Sequence, residues 1–276
     1  MTGAGNDTAH DATALTTLDV RVADGIATVT LDRPERRNGI TNRMLVELTN
    51  LLECLAGDRS VAVVVLTGAG RDFCVGADLK HYTDDGAAGS NGEAEPKLDT
   101  ASFAAAVLLH DMPQVTIAAV NGACAGAGLG WAASCDLRYA ARSAVFNTAF
   151  LDVAVAGDMG GPWSLTRLLG AGKARELYFL PGKFDAAEAE RIGLVNAVFD
   201  DDAMAGEVGA RAARIAGAAP LARTGMKANF LAAERLDYRD FIELESERHQ
   251  RITSSRDTQE AFRAFVEKRT PHFEGR

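Results

Sequence analysis

The sequence predicts an α/β fold with a helical extension at its carboxyl end. Two apolar, β-branched runs, residues 61–67 and 115–120, each end in a glycine-rich turn that leads into a candidate helix. Beyond about residue 203 the apolar residues recur only at helical spacing. Strands that alternate with helices, followed by helices alone, are typical of an α/β domain with an added helical subdomain.

Composition narrows the class of protein. With 276 residues, 47% hydrophobic and 24% charged, the chain suits one large soluble domain. Its formal net charge of −9 argues against nucleic acid or an anionic membrane as a partner, because both need clustered Lys and Arg.

No apolar run has transmembrane length and no secretory signal is recognisable, so we expect a cytoplasmic protein. Four cysteines lack metal-ligand spacing; we expect them to be buried, reduced thiols and predict no metal site: Cys54, Cys74, Cys124 and Cys135.

The chain is expected to begin with a tail and a hairpin. Residues 1–14 are small and polar and predict a disordered tail. Residues 18–22 and 26–31 alternate between apolar and polar around Asp24-Gly25, which is a strong hairpin signal. The first sheet therefore starts antiparallel.

A basic turn, a helix and a buried strand are expected next. Residues 33–38 form the basic turn, and apolar residues then recur at helical spacing between 44 and 55. Either Thr41 or Asn42 suits the N-cap of this helix. The continuous apolar run over 61–67 indicates a strand that is buried on both faces.

The first glycine-rich turn follows this strand. It spans residues 68–80, with a helix expected to start near residue 77. Residues 84–100 are rich in small and acidic residues and predict a mobile loop over or beside the site. A helix over residues 101–111 is expected to lead into the strand at 115–120.

The second glycine-rich turn spans residues 121–130, and its helix is expected to start at Trp131. Free backbone N–H groups at such a helix start can hold a developing negative charge. Two turns of this kind on neighbouring strands could point two N–H groups at one atom. The alternative is that small residues merely let the helix pack closely on the sheet. A dinucleotide-binding loop is set aside, because its G-x-G-x-x-G pattern would need glycine at position 131.

The remaining elements are shorter until the helical carboxyl end. Short strands are expected over 137–140 and 144–146, helices over 163–169, 173–180 and 186–192, and a last strand or extended segment over 194–199. From about 203 onward the pattern is entirely helical. Its apolar faces would fold back on the core or meet other subunits.

Four segments resemble motifs of the enoyl-CoA hydratase/isomerase (crotonase) superfamily. They are LDRPERRN over 31–38, FCVGADLK over 73–80, IAAVNG over 117–122 continuing through Cys135-Asp136, and FVEKR over 265–269. Each is weak alone, but four in order at the family's spacing make the resemblance specific. It covers about residues 18–276. It implies a crotonase (ClpP-like) fold of repeated ββα units over 15–202, and a helical region over 203–276 that builds homotrimers, commonly paired into hexamers.

The resemblance also implies an acyl-CoA substrate, with coenzyme A as part of the substrate and no prosthetic group. In the family, two backbone N–H groups hold the thioester oxygen, and the matching positions are Ala77 and Ala127. An enolate charge appears only during reaction, so such preset donors stabilise the transition state selectively.

Further matching positions would contact the coenzyme A moiety. They are Gly76, Asp78, Leu79 and Lys80 at the end of the first turn, and Lys268 reaching from a neighbouring subunit. Arg36 and Arg37 in the basic turn are further candidates. For the two arginines, a merely solvated turn remains an open alternative.

The chain departs from the family at both hydratase glutamates. Their positions fall on Gly130 and Phe150, and neither residue can transfer a proton. Asp158, eight residues after Phe150, matches the aspartate of dienoyl-CoA isomerases and lies near the nucleophilic aspartate of 4-chlorobenzoyl-CoA dehalogenases, although each match is incomplete. Its apolar neighbours should raise its pKa toward that of a useful base. The alternative is that Asp158 caps the following helix.

Two hypotheses for function follow. The first is an enzyme that stabilises a thioester enolate with the amides of Ala77 and Ala127 and uses Asp158 as acid and base. Isomerisation, C–C hydrolysis, decarboxylation and non-standard hydration all remain open for it. The second is a non-catalytic acyl-CoA binding protein on the same fold, motivated by the double loss at positions 130 and 150.

Overall fold

The structure is a computed structural model that describes residues 15–83 and 96–276. The tail predicted over 1–14 lies outside these ranges, as do residues 84–95 of the loop predicted over 84–100. Within the described residues, no helix is both long and apolar enough to cross a membrane.

The chain starts with the predicted hairpin. Strands β1 (Leu18–Ala23) and β2 (Ile26–Leu31) pair antiparallel, with Leu18 opposite Leu31. Asp24 and Gly25 both have positive φ, 51° and 74°, as a type I′ turn requires of its two central residues. The hairpin and the antiparallel start of the sheet are therefore confirmed.

Helix α1 (Asn42–Gly57) has Thr41 as its N-cap, because the Thr41 hydroxyl accepts the N–H of Met44 at 3.2 Å. One face of the helix is buried in the main core through Met44, Leu45, Leu48, Leu52 and Leu55. Cys54 lies on the opposite face and is exposed, so the expectation of four buried thiols is wrong at this position; the other three are buried.

The next elements are β3 (Val63–Gly68), α2 (Leu79–Thr83), α3 (Ala105–Asp111) and β4 (Val115–Val120). Helix α2 starts two residues later than predicted, because the Asp78 carboxylate accepts the N–H of His81 at 3.2 Å and ends the extended segment there. The helix predicted over 101–111 is divided, with a 3₁₀ turn over Thr100–Phe103 before α3.

The glycine-rich stretch over 121–130 contains more regular structure than expected. It holds the short strand β5 (Ala123–Ala125) and the start of helix α4 (Ala127–Ser134). The prediction that the helix starts at Trp131 is therefore wrong by four residues. Gly126, with φ of 52°, makes the whole turn alone, and every residue of α4 is buried, which small residues permit.

The rest of the described chain adds four short strands and seven helices, and all of the strands but β8 lie at predicted places. The strands are β6 (Leu137–Ala141), β7 (Val145–Asn147), β8 (Phe184–Asp185) and β9 (Ala197–Phe199). The helices are α5 (Gly161–Leu169), α6 (Ala171–Phe179), α7 (Ala186–Arg191), α8 (Met204–Ala216), α9 (Pro220–Ala233), α10 (Tyr238–Thr253) and α11 (Arg256–Glu267). The all-helical pattern after residue 203 is confirmed.

Two sheets organise these elements. The larger has the order β1-β2-β3-β4-β6-β9 and is parallel except for the first pair, and the smaller has the order β5-β7-β8. Strands β3 and β4 are neighbours in parallel, so the glycine-rich turns that follow them leave the same edge of the sheet. Helix α8 covers the other face of the larger sheet through Met204, Val208 and Ala212.

Helix α9 is attached to the core by a buried lysine. Lys227 is 4% exposed, and its Nζ donates to the Gln114 carbonyl and to the Asp136 carboxylate, both at 2.8 Å. The same carboxylate accepts the N–H of Thr116 in β4 at 2.8 Å. One carboxylate thus connects the C-terminal helical region with the centre of the larger sheet.

Gly122 stands at a close approach of two backbones, and its replacement by alanine is expected to cost at least about 3 kcal/mol of unfolding free energy. A Cβ there would lie 1.8 Å from the Arg71 carbonyl oxygen, so the backbone would have to move. The control is Gly209→Ala in helix α8. No atom lies within 4 Å of the Cβ that this substitution adds, and the higher helix propensity of alanine should raise the unfolding free energy by up to about 1 kcal/mol. Urea denaturation measures both; equal midpoints for the two variants would contradict the expectation.

Candidate active site

The two glycine-rich turns are brought together by a parallel bridge. Cys74 pairs with Cys124, and the N–H of Ala125 donates to the Cys74 carbonyl at 2.9 Å. Because the two segments run parallel, the residues three positions further along each of them, Ala77 and Ala127, leave the bridge on the same side of the sheet edge.

Only glycine fits where these segments touch. Gly76 and Gly126 have φ of 86° and 52°, in the left-handed region that disfavours other residues. A Cβ on Gly76 would lie 3.1 Å from the Ala125 carbonyl oxygen and 3.5 Å from the Cα of Gly126. The close approach sets the spacing of the amides that follow each glycine.

The amide of Ala77 is left without a structural partner. Ile40 pairs with this segment by donating to the Gly76 carbonyl at 2.8 Å and by accepting from the Asp78 N–H at 3.0 Å. Successive amides of an extended segment point to opposite sides, so the Ala77 N–H points away from Ile40.

The amide of Ala127 opens helix α4. The first N–H groups of a helix have no acceptor within it and carry the positive end of the helix dipole. Among residues 15–83 and 96–276, neither this N–H nor that of Ala77 has a hydrogen-bond acceptor. Each N–H group is therefore available to donate to a ligand, and their meeting at one thioester oxygen stays a prediction.

Asn121 fixes the first turn against the second. Its Nδ2 donates to the carbonyls of Gly68 and Gly70, both at 3.0 Å, and its Oδ1 accepts the N–H of Gly68 at 3.2 Å. One amide side chain at the end of β4 therefore holds the glycine-rich turn that follows β3. Sequence reasoning assigned no role to this residue, although its place directly after a strand and before glycine was a usable signal.

Asp158 lies in the turn before α5, and its Oδ1 is buried without a hydrogen-bond partner in the described chain. Burial raises the pKa of this carboxyl to about 6. Gly160, not Asp158, is the N-cap of α5, and no side chain caps that helix. The alternative that Asp158 is a helix cap is therefore wrong, because the helix starts three residues after it.

Asp158 also lies near both the first turn and α6. Burial is the main cause that raises the pKa of the Cys74 thiol and of the Tyr178 hydroxyl, and the charge of Asp158 raises both further. The Asp158 carboxylate is therefore close enough to interact electrostatically with both groups.

Gly130 and Phe150 face this region from two sides. A Cβ on Gly130 would lie 2.6 Å from the Cβ of Met159, which is 5% exposed. The Phe150 ring stacks on Tyr178, with centroids 6.0 Å apart and an interplanar angle of 7°. Sequence reasoning missed Met159 and Tyr178; Met159 could have been suspected as the one large residue among Gly157, Gly160 and Gly161, whereas nothing local marks Tyr178.

A small apolar cavity adjoins the turn that carries Asp158. Its volume is about 240 Å³, and its wall includes Phe150, Val155, Ala156, Pro162 and Tyr178. The turn is packed against this wall, since a Cβ on Gly157 would lie 3.5 Å from Pro162 and 3.7 Å from the Tyr178 ring. The loop that was predicted over or beside the site, residues 84–100, lies outside the described residues from 84 to 95.

A larger cavity, of about 990 Å³, lies elsewhere. It opens between α5, α8 and α9, and its wall includes Trp163, Arg214, Met226 and Phe230. Neither cavity has Ala77, Ala127 or Asp158 in its wall, so the size of a cavity does not identify the reaction site. No cluster of three metal-ligating side chains occurs in the residues that the structure describes.

The charged residues assigned to coenzyme A occupy different surroundings. Arg37 forms a two-point ion pair with Asp72, at 2.8 and 3.1 Å, and this pair lowers the pKa of the carboxyl group. Asp78 turns its carboxylate toward Arg33, whose Nη2 lies at 3.0 Å. Both acidic residues thus hold the basic turn against the first glycine-rich turn.

The remaining assigned positions are open to a ligand. Leu79 and Lys80 are exposed at the start of α2, directly after the Ala77 amide. Lys268 is exposed at the end of α11, in the helical region. Contacts of any of these residues with coenzyme A stay a prediction.

Comparison with known proteins decides the family. The family model described as enoyl-CoA hydratase/isomerase matches residues 21–276. The chain belongs to the enoyl-CoA hydratase/isomerase family. This confirms the resemblance seen in the sequence and the crotonase fold that it implied. The equivalence of Gly130 and Phe150 to the two hydratase glutamates stays a prediction.

Relatives within the family differ in activity. A Rhodobacter capsulatus protein named "Probable enoyl-CoA hydratase" is 36% identical over 94% of this chain and 98% of its own. The 1,2-epoxyphenylacetyl-CoA isomerase of Escherichia coli is 33% identical over 92% and 97%. The crystal structure of an enoyl-CoA hydratase from Bacillus anthracis superposes with a TM-score of 0.84 at 29% identity, covering 95% of this chain and 100% of that one. Both hydratases and isomerases thus share this family.

Proposed function

We propose that this protein isomerises an acyl-CoA thioester by moving a proton between acyl carbons, with Asp158 as the single acid and base. The amides of Ala77 and Ala127 would hold the thioester oxygen. The observation that carries the proposal is the half-buried Asp158 carboxylate, whose Oδ1 is buried without a partner in the described chain and whose pKa is raised to about 6.

One carboxylate suffices for this chemistry. With a 3-enoyl thioester, Asp158 removes a proton from Cα, and the electron pair passes into a dienolate whose charge rests on the thioester oxygen. The acid then returns the proton to Cγ, which moves the double bond to the α,β position. No proton is gained or lost overall, and the two amides act only on the intermediate charge.

The surroundings support a thioester with an apolar acyl end. The cavity of about 240 Å³ adjoins the turn that carries Asp158, and its wall is mostly apolar, with Thr166 and Arg175 as its polar members. The stacked rings of Phe150 and Tyr178 form one side of it. We place the acyl group there and the coenzyme A moiety along the exposed start of α2, where Lys80 is available to a phosphate.

We propose a homo-oligomer built by the C-terminal helices. Several large apolar side chains are exposed on α9, α10 and α11, among them Phe230 at 69%, Tyr238 at 80% and Phe265 at 86%. Exposed apolar residues in such number favour contact with further subunits. Lys268, close to Phe265, would then approach a neighbouring subunit's coenzyme A.

A thioester panel tests the reaction. Purified protein is incubated with 3-enoyl, 3,5-dienoyl and 2-enoyl thioesters of coenzyme A, and the products are separated chromatographically. Movement of a double bond with no change in mass supports the proposal. Tight binding of every thioester without turnover would overturn it and favour the acyl-CoA binding protein.

The rate of isomerisation should rise with pH through about 6. Asp158 must be ionised to remove the first proton, and burial raises its pKa to about 6. We therefore expect kcat/KM to increase about tenfold between pH 5 and pH 7 and then to level off. A pH-independent rate between 5 and 7 would exclude Asp158 as the base.

A further inference from the structure

Met159 has a strained backbone, and its side chain packs against α4 where Gly130 has no Cβ. Its φ is +48°, in the left-handed region, although glycines stand on either side at 157 and 160. The side chain is 5% exposed and lies against the face of α4 at Gly130, where no Cβ would fit. A bulky residue held in an unfavourable conformation beside a reactive carboxylate needs an explanation beyond packing.

The polar groups on the α4 side of Met159 are already hydrogen-bonded. The Ser134 hydroxyl donates to the Gly130 carbonyl at 3.0 Å and lies 3.4 Å from the Met159 carbonyl. The Met159 thioether is a weak hydrogen-bond acceptor. Oδ1 of Asp158 is the polar atom that stays unpaired next to Met159 in the described chain, and one such atom is fewer than the two to four polar partners that an ordered water needs.

We infer that Met159 selects the reaction: by filling the space beside Gly130, it excludes the water that would otherwise add to the acyl chain. The inference rests on the proposed function, since it concerns the same site. It assigns to Met159 the choice between proton movement and hydration, while Asp158 carries the proton in both.

Hydration at this site is chemically complete once water can enter. Asp158 would take one proton from water, the water oxygen would bond to Cβ of a 2-enoyl thioester, and the electron pair of the double bond would pass to the thioester oxygen. The acid would then return the proton to Cα, giving the 3-hydroxyacyl thioester. Such a reaction needs only space and a position for the water, both of which Met159 removes.

The test is the hydration rate of a 2-enoyl thioester by Met159→Ala, followed by loss of absorbance of the conjugated double bond. We expect at least a tenfold increase over the unaltered protein. Met159→Leu, which keeps the volume, should hydrate as slowly as the unaltered protein. Met204→Ala removes an equally buried methionine beneath α8, on the other face of the sheet, and should leave the hydration rate unchanged.

The outcomes separate this inference from the proposed function. Isomerisation of 3-enoyl thioesters by the unaltered protein decides the function, whereas the hydration rate of the Met159 variants decides the inference. If Met159→Ala hydrates the 2-enoyl thioester no faster than the unaltered protein does, the role assigned to Met159 is wrong. If this variant does not fold, Met159→Gln retains the length and adds polar partners for water, and the same tenfold increase is expected of it.

Discussion

Replacement of Asp158 by asparagine is expected to lower kcat for isomerisation between about 100-fold and 10,000-fold, because the amide cannot accept the substrate proton. The two backbone donors stay in place, so KM should change little. Steady-state kinetics with the thioester that the panel identifies provide the measurement. Asp152→Asn, an exposed aspartate six residues earlier, is the matched control and should keep full activity.

The same variant should be more stable than the unaltered protein at pH 7. Burial raises the pKa of Asp158 from its ordinary value of 3.8 to about 6, so folding favours the protonated form. The stabilisation that protonated Asp158 gives to the folded state is fully present below about pH 4 and is lost as the pH rises through 6. At pH 7 the ionised carboxylate opposes folding, and asparagine relieves this by about 1 kcal/mol after allowance for partial exposure.

The combination of lost activity and gained stability distinguishes a catalytic carboxylate from a structural one. A structural aspartate would lose stability together with activity. Asp158→Asn with a lowered unfolding free energy, or with activity above one tenth of the original, would contradict the proposed role.

Replacement of Lys227 by methionine is expected to cost about 3 kcal/mol of unfolding free energy. The substitution keeps the apolar length of the side chain but leaves the Asp136 carboxylate and the Gln114 carbonyl without their buried donor. Because Asp136 also accepts from Thr116, the loss affects both the attachment of α9 and the centre of the sheet. Chemical denaturation followed by circular dichroism measures it.

Two further variants make this expectation specific. Lys173→Met breaks a partly exposed i,i+3 pair with Glu176 and should cost less than about 0.5 kcal/mol. Adding Asp136→Asn to Lys227→Met should recover part of the loss, because it removes the uncompensated charge. Equal costs for Lys173→Met and Lys227→Met would show that burial of the pair has no energetic effect.

Much of the fold could be predicted because local patterns determined it. Asp24-Gly25 marks a two-residue hairpin turn, the continuous apolar run before residue 68 marks a strand with neighbours on both sides, and helical spacing marks α1. In each case the local preference and the tertiary environment agree, so the prediction is confirmed.

The predicted start of one helix and the predicted burial of one cysteine were wrong, because tertiary contacts determined both. Trp131 was expected to start a helix that in fact begins at Ala127, because the segment after β5 turns at a single glycine pressed against Gly76. Cys54 was expected to be buried, but the orientation of α1 directs it outward. Neither the close approach nor the orientation is encoded within a short window of sequence.

The sequence by itself determined the family, the two glycine-rich turns with Ala77 and Ala127 after them, and Asp158 as the acidic residue to examine. These follow from residue types at fixed spacing along the chain. Only the tertiary structure decided that Oδ1 of Asp158 is buried without a partner in the described chain and that Asp158 is not a helix cap. It also decided that Met159 fills the space beside Gly130 and that Arg37 is paired with Asp72. Solvation and steric exclusion depend on which distant segments pack together, and no spacing along one chain records that.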